Sequence, residues 1–307
     1  MKKIIIYTAL YFLFLTSSFA QVISKEVFIK NDSIELPGTL SYINTTSPLV
    51  IWIHGSGNID RNGNQAGVNI KANYIQQFRE KMNNNGFAFF SYDKRTANPK
   101  NFKLLKNTLF DDLVDDAKII VKHLKDNYTF KEIVLIGHSQ GSLTAMLASE
   151  NANKYISLAG LSNSFDKTLV KQVTNQNAML GKVADEHFKE LFKTGTIKQV
   201  NPFLVSIFRK QNYPFLINWA KYNPSKEIQK LNIPILIVNG DKDIQVKIED
   251  AKAMHKAKPS SRLAIIENMN HVLKHIEKDA DNMNSYYTAD FPISTKLITT
   301  ILNFIRK

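Results

Sequence analysis

The sequence predicts an α/β protein: a mostly parallel, doubly wound sheet with an antiparallel hairpin at its N-terminal edge and a helical lid insertion. Two observations lead to this prediction. Short apolar runs that do not alternate with polar residues are typical of strands covered on both faces. Segments with apolar residues at helical spacing separate these runs, which is typical of parallel sheets. With 44% hydrophobic and 22% charged residues in 307, the composition is globular and excludes disordered and fibrous classes.

The predicted sheet begins with the hairpin. Residues 26–30 and 34–43 have the pattern of two strands, and Asn31-Asp32-Ser33 between them supplies the turn. Six further apolar runs are predicted to be buried strands: residues 49–53, 87–90, 133–136, 156–159, 233–238 and 263–266.

Two helices are the clearest. The first is predicted over residues 109–125, where apolar side chains recur at helical spacing and Thr108 with Asp111 has the spacing of a capping box. The second is predicted over residues 294–305 near the C-terminus. Helices between the strands are expected to cover both faces of the sheet.

The alternation of strand and helix fails between residues 161 and 230. This stretch contains helix-like runs at 181–192, 205–213 and 214–220 but no convincing strand, and it is too long for a simple connection. We predict a helical lid there, so that the core domain comprises residues 21–160 and 231–307. The lid carries eleven Lys and Arg against five Asp and Glu, a net +6 of the chain's formal +13.

Residues 1–20 have the features of a secretory signal peptide. Lys2 and Lys3 precede an apolar run over residues 4–15, and Ser18-Phe19-Ala20 has small residues where a signal peptidase cuts. An uncleaved membrane anchor is the alternative, but the run is shorter than the ~20 residues of a spanning helix. We expect an exported protein, periplasmic or extracellular, that begins at Gln21 and has no stable membrane insertion after cleavage.

The absence of cysteine and the basic charge limit the function classes. A chain with no cysteine cannot form a disulfide, carry a lipoprotein anchor or perform thiol chemistry. The charge of +13 favours contact with acidic partners, although solvated lysines explain it more simply. No nucleic-acid-binding motif accompanies it, so we predict no nucleic-acid partner. Nothing in the composition requires a cofactor.

The sequence Gly137-His138-Ser139-Gln140-Gly141 follows a predicted buried strand and precedes a predicted helix. This is the context in which G-x-S-x-G forms a sharp turn that exposes a nucleophilic serine. Residues two positions before and after Ser139 must be small, because a side chain there would collide with the turn. We therefore predict Ser139 as a nucleophile; His138 leaves the turn on the wrong side to act as its base.

A nucleophilic serine needs a base, and the base needs an acid that fixes its orientation. In proteins with this turn the three residues follow the order serine, acid, histidine. Asp241 and Asp243 follow the strand predicted at 233–238, and their spacing alone does not separate them. His271 follows the next strand and is the predicted base among seven histidines. His275 lies at i+4 from it, but no third ligand suggests a metal site.

The loop after the third strand, His54-Gly55-Ser56-Gly57-Asn58, is rich in glycine, so that its backbone can approach a substrate closely. In an acyl-transfer site, two N–H groups stabilise the oxyanion. We predict the backbone N–H groups of Ser56 and Gln140 as these donors. Four residues are expected to support the site without taking part in the chemistry: His54, Gly55, Gly137 and Gly141.

Three motifs together resemble those of bacterial α/β-hydrolase carboxylesterases in the serine-aminopeptidase-like branch. They are HGSGNIDRNG at residues 54–63, SYDKRT at 91–96 and GHSQG at 137–141, and the resemblance extends over residues 27–307. It implies the α/β-hydrolase fold, a Ser-Asp-His triad and activity on acyl esters. Asn58 stands where the family usually has proline.

The resemblance also implies individual roles. Asp243, between Gly240 and Val246 at the family's spacing, becomes the acid, and His271 becomes the base. Asp241 is then expected to hydrogen-bond locally within its turn. Four further residues are implied to form polar contacts between the oxyanion loop and the neighbouring loop: Asp60, Arg61, Asp93 and Arg95.

The expected function is hydrolysis of small carboxylic esters with short to medium acyl chains through an acyl-enzyme intermediate. Two alternatives remain: a serine aminopeptidase-like peptidase of the same fold, and a non-catalytic binding protein. An aminopeptidase needs carboxylates for the substrate ammonium, but lysines outnumber acids in the lid. Several apolar lid residues are expected to line an acyl pocket, drawn from Phe165, Met179, Leu180, Phe188, Phe192, Phe203, Phe208, Phe215 and Trp219.

Overall fold

The structure is a computed structural model that describes residues 21–65 and 67–307. The predicted signal peptide, residues 1–20, lies outside the described residues. In the described part of the chain, no helix is both long enough and apolar enough to cross a membrane.

Eight strands form one mixed sheet in the order β1-β2-β4-β3-β5-β6-β7-β8. The pairings from β4 through β3 to β8 are parallel, and β2 runs antiparallel to both β1 and β4. This is the predicted α/β-hydrolase fold with its N-terminal antiparallel hairpin. The strands are β1 Ile23–Asn31, β2 Ile34–Tyr42, β3 Leu49–Ile53, β4 Ala88–Tyr92, β5 Ile133–His138, β6 Lys154–Leu158, β7 Ile235–Gly240 and β8 Arg262–Ile266.

Helices cover both faces of the sheet. One face packs in a cluster with α2, the other in a cluster with α1 and α9. The five central strands β3 to β7 are almost entirely buried, which explains why their sequences do not alternate. The helices are α1 Tyr74–Asn84, α2 Phe110–Asn127, α3 Gln140–Leu147, α4 Phe165–Gln176, α5 Ala178–Thr194, α6 Tyr213–Trp219, α7 Pro224–Glu227, α8 Ile248–Ala257 and α9 Thr295–Ile305.

The predicted capping box of α2 is wrong. The helix begins after Leu109, whose backbone N–H donates to the Asp112 carboxylate at 2.6 Å. Thr108 Oγ1 has no partner in the described structure. Asp111 instead accepts a hydrogen bond from Tyr222 in the lid, at 2.6 Å. The acidic residue therefore joins lid to core and does not cap its own helix.

Residues 161–230 are helical, and the described chain has no strand there. They include α4 to α7 and have a small core of their own, in which Phe188, Leu191 and Phe208 are buried. The run predicted at 205–213 forms short 3₁₀ turns and not one helix. A second cluster, with Trp219 of the lid against Phe110 of α2, attaches this segment to the core.

Candidate active site

The turn between β5 and α3 has the sterics that the G-x-S-x-G pattern predicts. Ser139 has φ 55°, a left-handed backbone conformation that serine rarely adopts. A Cβ added to Gly137 would overlap the carbonyl of Gly141, and one added to Gly141 would overlap the carbonyls of Ile53 and His54. Only glycine at these two positions allows the strand and helix to meet so closely.

The loops after β7 and β8 bring an acid and a histidine together. His271 Nδ1 lies 2.8 Å from Asp243 Oδ2. The other carboxylate oxygen, Oδ1, accepts the backbone N–H groups of Gln245 and Val246 at 2.8 and 2.9 Å. Asp243 is therefore fixed from two sides, and it holds the Nδ1–H tautomer of His271, which leaves Nε2 as an acceptor.

Asp241 has a different partner. Its Oδ1 accepts the backbone N–H of Asn268 at 2.7 Å, which joins the loop after β7 to the loop after β8. The expectation of a hydrogen bond within its own turn is therefore wrong, since the bond spans two loops. Of the two carboxylates, only Asp243 contacts His271 in the described structure.

Ser139 and His271 line the same cavity, which has a volume of about 280 Å³. No hydrogen bond joins the Ser139 hydroxyl to His271 among the described residues. Catalytic hydrogen bonds of unliganded sites are commonly long and shorten when substrate binds. The fold thus brings Ser139, His271 and Asp243, the predicted nucleophile, base and acid, to one edge of the sheet.

The glycine-rich loop after β3 passes directly against the nucleophile. A Cβ added to Gly55 would lie 3.2 Å from Ser139 Cβ, so this backbone lies in van der Waals contact with the turn. The backbone N–H groups of Ser56 and Gln140 donate to no protein group in the described structure, and both residues line the cavity. Gln140 is the first residue of α3, where N–H groups have no acceptor within the helix.

Two buried histidines hold the surrounding loops. His54 Nε2 lies 2.5 Å from the carbonyl of Tyr92, and His138 Nε2 lies 2.8 Å from the carbonyl of His271. Burial lowers the pKa of each to about 3, so both rings are neutral and donate through Nε2–H. His138 therefore fixes the backbone of the histidine next to Asp243, a role that the sequence reasoning did not find.

Lys94 is a second group that the sequence reasoning missed. Its ammonium donates to the carbonyl of Gly55 at 2.7 Å and to Gln140 Oε1 at 2.9 Å. The residue is only 6% exposed, and burial lowers its pKa to about 7. It stands in the SYDKRT motif, where nothing distinguishes it in sequence from a solvated lysine.

The four implied loop contacts divide into two kinds. Arg61 forms a two-armed pair with Asp93, at 3.0 and 2.8 Å, which joins the oxyanion loop to the loop after β4 as implied. Asp60 instead accepts N–H groups within its own turn. Arg95 pairs with Asp116 of α2 at 2.6 Å. The implied contact between loops is therefore wrong for Asp60 and for Arg95.

A second and larger cavity, of about 1040 Å³, adjoins the first under the lid. Both cavities are lined by Ser56 and Gln140 from the core and by Phe165 and Trp219 from the lid. The rings of Phe165 and Trp219 are stacked with centroids 3.9 Å apart. The predicted oxyanion donors thus lie where the two spaces meet.

The apolar lid residues have three different positions. Phe165, Phe215 and Trp219 line the cavities, whereas Phe188 and Phe208 belong to the core of the lid. Met179 and Phe203 are exposed, at 75% and 83%. Their spacing in the sequence does not separate these three groups, because the residues lie in several short helices and turns whose packing partners are set by the fold.

The first cavity is polar but carries no acidic lining residue. Its polar groups include Gln65, Thr168, Gln172 and Gln245, and no Asp or Glu is among the described residues that line it. The described chain also contains no cluster of His, Asp and Glu that could hold a metal ion. His275 is 41% exposed in its side chain, and its Nε2 lies 4.0 Å from the Glu277 carboxylate.

The strand order and the turn at Ser139 define the α/β-hydrolase fold, and Asp243 and His271 meet beside the cavity that Ser139 lines. Residues 40–257 match the BD-FAE family, and the chain belongs to that family.

Similar proteins have the same fold. Esterase EstD from Thermotoga maritima is 23% identical over an alignment of 256 residues, which covers 78% of this chain and 58% of EstD. The chain therefore spans less than two thirds of that relative. Est1E from Butyrivibrio proteoclasticus superposes with a TM-score of 0.57 at 19% identity, over 92% of this chain and 99% of that one. The Pyrococcus furiosus esterase Pf2001 gives 0.58 at 18%, over 92% and 91%.

Proposed function

We propose that the protein is a carboxylesterase with Ser139 as nucleophile, His271 as general base and Asp243 as the acid that orients it. Ser139 Oγ attacks the ester carbonyl while His271 Nε2 takes its proton. The N–H groups of Ser56 and Gln140 stabilise the resulting oxyanion. His271 returns the proton to the leaving alcohol. In the second half of the reaction His271 takes a proton from water, which attacks the acyl-enzyme, and then gives that proton to the departing Ser139 Oγ.

One observation carries this proposal. Asp243 and His271 are joined by a short hydrogen bond, and His271 lines one cavity with Ser139 and with two backbone N–H groups that have no partner in the described structure. A protein that only binds ligands has no need for these four elements together. Family membership and the similarity to EstD support the same reaction.

The test is a panel of substrates with the Ser139→Ala variant as control. We expect hydrolysis of p-nitrophenyl acetate, butyrate and hexanoate by the wild type and none above background by the variant. A fluorophosphonate probe should label the wild type only. Failure of the folded wild type to react with both esters and probe would favour the non-catalytic alternative.

Esters are proposed over peptides because of the cavity lining. An aminopeptidase must bind a substrate ammonium, and no Asp or Glu is among the described residues that line either cavity. We expect aryl esters to be cleaved and amino-acid arylamides not to be. Arylamide turnover that matches ester turnover would reverse this choice.

The two cavities support a preference for soluble esters of short to medium acyl chain. The larger cavity has apolar walls that include Leu113, Phe215 and Leu216, and it suits the acyl group. Est1E has also been solved with ferulic acid bound, at a TM-score of 0.58 and 20% identity to this chain. Methyl ferulate therefore belongs in the panel, and we expect long-chain triglyceride emulsions to be slower than butyrate.

We also propose that residues 1–20 are removed on export. N-terminal sequencing of the protein from the outer compartments of its cell should begin at Gln21. Material that begins at Met1 would favour the anchor alternative.

A further inference from the structure

Lys94 lies two residues after the end of β4, and its surroundings are unusual for a lysine. The residue is 6% exposed, and no carboxylate lies within ion-pair distance of its ammonium in the described structure. Asp116, which attracts the Lys94 charge from a longer distance, is paired with Arg95. A buried ammonium with only neutral acceptors is costly to maintain. A Met or Leu side chain would fill the same space without that cost, so packing alone does not explain Lys94.

The first acceptor of Lys94 is the carbonyl of Gly55, at 2.7 Å. This carbonyl belongs to the same planar peptide group as the N–H of Ser56. In a trans peptide group the C=O and N–H bonds point in opposite directions. Holding the Gly55 oxygen on one side therefore fixes the Ser56 N–H on the opposite side, and the loop that carries both groups lies against Ser139.

The second acceptor is Oε1 of Gln140, at 2.9 Å. Gln140 supplies the other predicted oxyanion donor from its backbone N–H at the start of α3. A single ammonium thus bonds to both segments that carry the donors, the loop after β3 and the first residue of α3. Freed from Lys94, the Gly55–Ser56 peptide can rotate, because glycine tolerates most backbone conformations.

We propose that Lys94 is the positioning residue that holds both oxyanion donors, Ser56 N–H and Gln140 N–H, in the orientation that the tetrahedral intermediate requires. This assignment rests on the proposed esterase function. Lys94 also lines the larger cavity, but its ammonium bonds to the two segments that carry the donors, and its role is exerted through those segments. In its protonated form Lys94 also polarises the Gly55–Ser56 peptide group, which makes the Ser56 N–H a stronger donor.

The first test is Lys94→Met, which keeps the length and removes the ammonium. Oxyanion donors act on the transition state, so kcat for p-nitrophenyl butyrate should fall roughly 100-fold while KM stays within about twofold. Lys154→Met is the matched control. Lys154 is a largely buried lysine that donates to Glu132 and to the carbonyl of Ile305, far from Ser139 in the fold. Its loss should lower the denaturation midpoint but leave kcat unchanged.

The absence of cysteine allows a sharper test. In Lys94→Cys the only thiol is at position 94, and 2-bromoethylamine converts it to a side chain of lysine length with an ammonium. Alkylation with 1-iodopropane gives a neutral side chain of the same length. We expect the ammonium to restore at least a tenth of wild-type kcat and the neutral group to restore none. Rates are normalised to folded protein by circular dichroism, and wild type treated identically should not change.

Several outcomes would overturn the assignment. Wild-type kcat in folded Lys94→Met would do so, as would equal rescue by the charged and neutral groups, or a rise in KM that accounts for the whole loss. If Lys94→Met does not fold, the alkylated pair decides. Ser139→Ala, assayed alongside, distinguishes failure of the esterase mechanism from failure of the Lys94 assignment. Activity that survives in Ser139→Ala refutes the esterase mechanism. Activity that is lost in Ser139→Ala but intact in Lys94→Met refutes only the role of Lys94.

Discussion

The edge of the sheet that carries Ser139 and the lid above it are stabilised in different ways. At the sheet edge, Asp243 and His271 are fixed by specific polar contacts: Asp243 bonds to two backbone N–H groups and to His271, whose carbonyl accepts from His138. The lid is held mainly by apolar packing, in a small core of its own and in a cluster with Phe110 of α2. Hydrogen bonds fix the orientation of the groups they join, whereas apolar packing tolerates substitutions by other apolar side chains of similar volume.

This difference suggests a division of labour. We expect the polar edge to determine whether the reaction occurs and the apolar lid to determine which ester fits. If so, substitutions at the edge should change kcat by large factors for every substrate. Substitutions in the lid should change the ratio between substrates, by smaller factors.

Ser139→Ala should have the largest effect. Loss of the nucleophile costs about 10⁶ in kcat in a well-studied serine protease, and we expect a loss of that order here for every ester tested. The fold should remain intact, as measured by circular dichroism. A folded variant that keeps a tenth of wild-type activity is incompatible with Ser139 as nucleophile.

The next effect in size is that of Asp243→Asn. The amide oxygen would keep the two backbone N–H groups, so that its NH2 faces Nδ1 of His271 and favours the wrong tautomer. The equivalent change in a serine protease costs roughly 10⁴ in kcat. Asp241→Asn is the matched control in the same loop, because its carboxylate bonds to the Asn268 N–H and not to the histidine. That variant should lose about 1 kcal/mol of unfolding free energy with kcat nearly unchanged. The opposite pattern would exchange the two roles.

The sequence predicted the sheet and the turn at Ser139 well, because each has a local signature. The G-x-S-x-G pattern follows from the collisions that larger residues at 137 and 141 would cause. The order of strands follows from short apolar runs between helices, and all of the predicted strands are present within a few residues.

What escaped prediction depends on contacts between distant segments. Lys94 is separated by 39 and 46 residues from its partners. His138 is 133 residues from His271, whose carbonyl it contacts. A lysine or histidine in such a pair has the same local sequence as a solvated one, so only the folded chain identifies it. The same holds for Asp111: its spacing from Thr108 predicts a helix cap, but its carboxylate accepts a hydrogen bond from Tyr222 of the lid.

In the lid, Phe215→Ala tests the division of labour directly. Phe215 lines the larger cavity and packs edge-on against Phe110, with centroids 6.3 Å apart. Removing its ring should lower kcat/KM for p-nitrophenyl hexanoate about tenfold, since lost apolar contact of this kind is worth 1–3 kcal/mol, and should change the acetate value less. Phe28→Ala, at an exposed position on β1, is the control and should change neither. Equal losses for both esters would argue against a selective lid.

The smallest expected effect concerns pH and tests whether the polar edge is also the acid-sensitive part of the fold. Burial lowers the pKa of His54 to about 3, from an unfolded value near 6.5. Between these values the unfolded chain binds a proton that the folded chain does not, so unfolding free energy falls as pH drops below 6.5. At pH 6 the cost is about 1 kcal/mol for this histidine. His54→Gln keeps an N–H donor near the position of Nε2, which bonds to the Tyr92 carbonyl, but cannot titrate. Relative to wild type, its denaturation midpoint should therefore be less sensitive to a change from pH 7.5 to pH 6.

His275→Gln removes an exposed histidine and is the control, with a pH dependence like that of wild type. If His54→Gln is as acid-sensitive as wild type, the protonation of buried histidines at this edge does not limit stability, and the acid response must come from other groups.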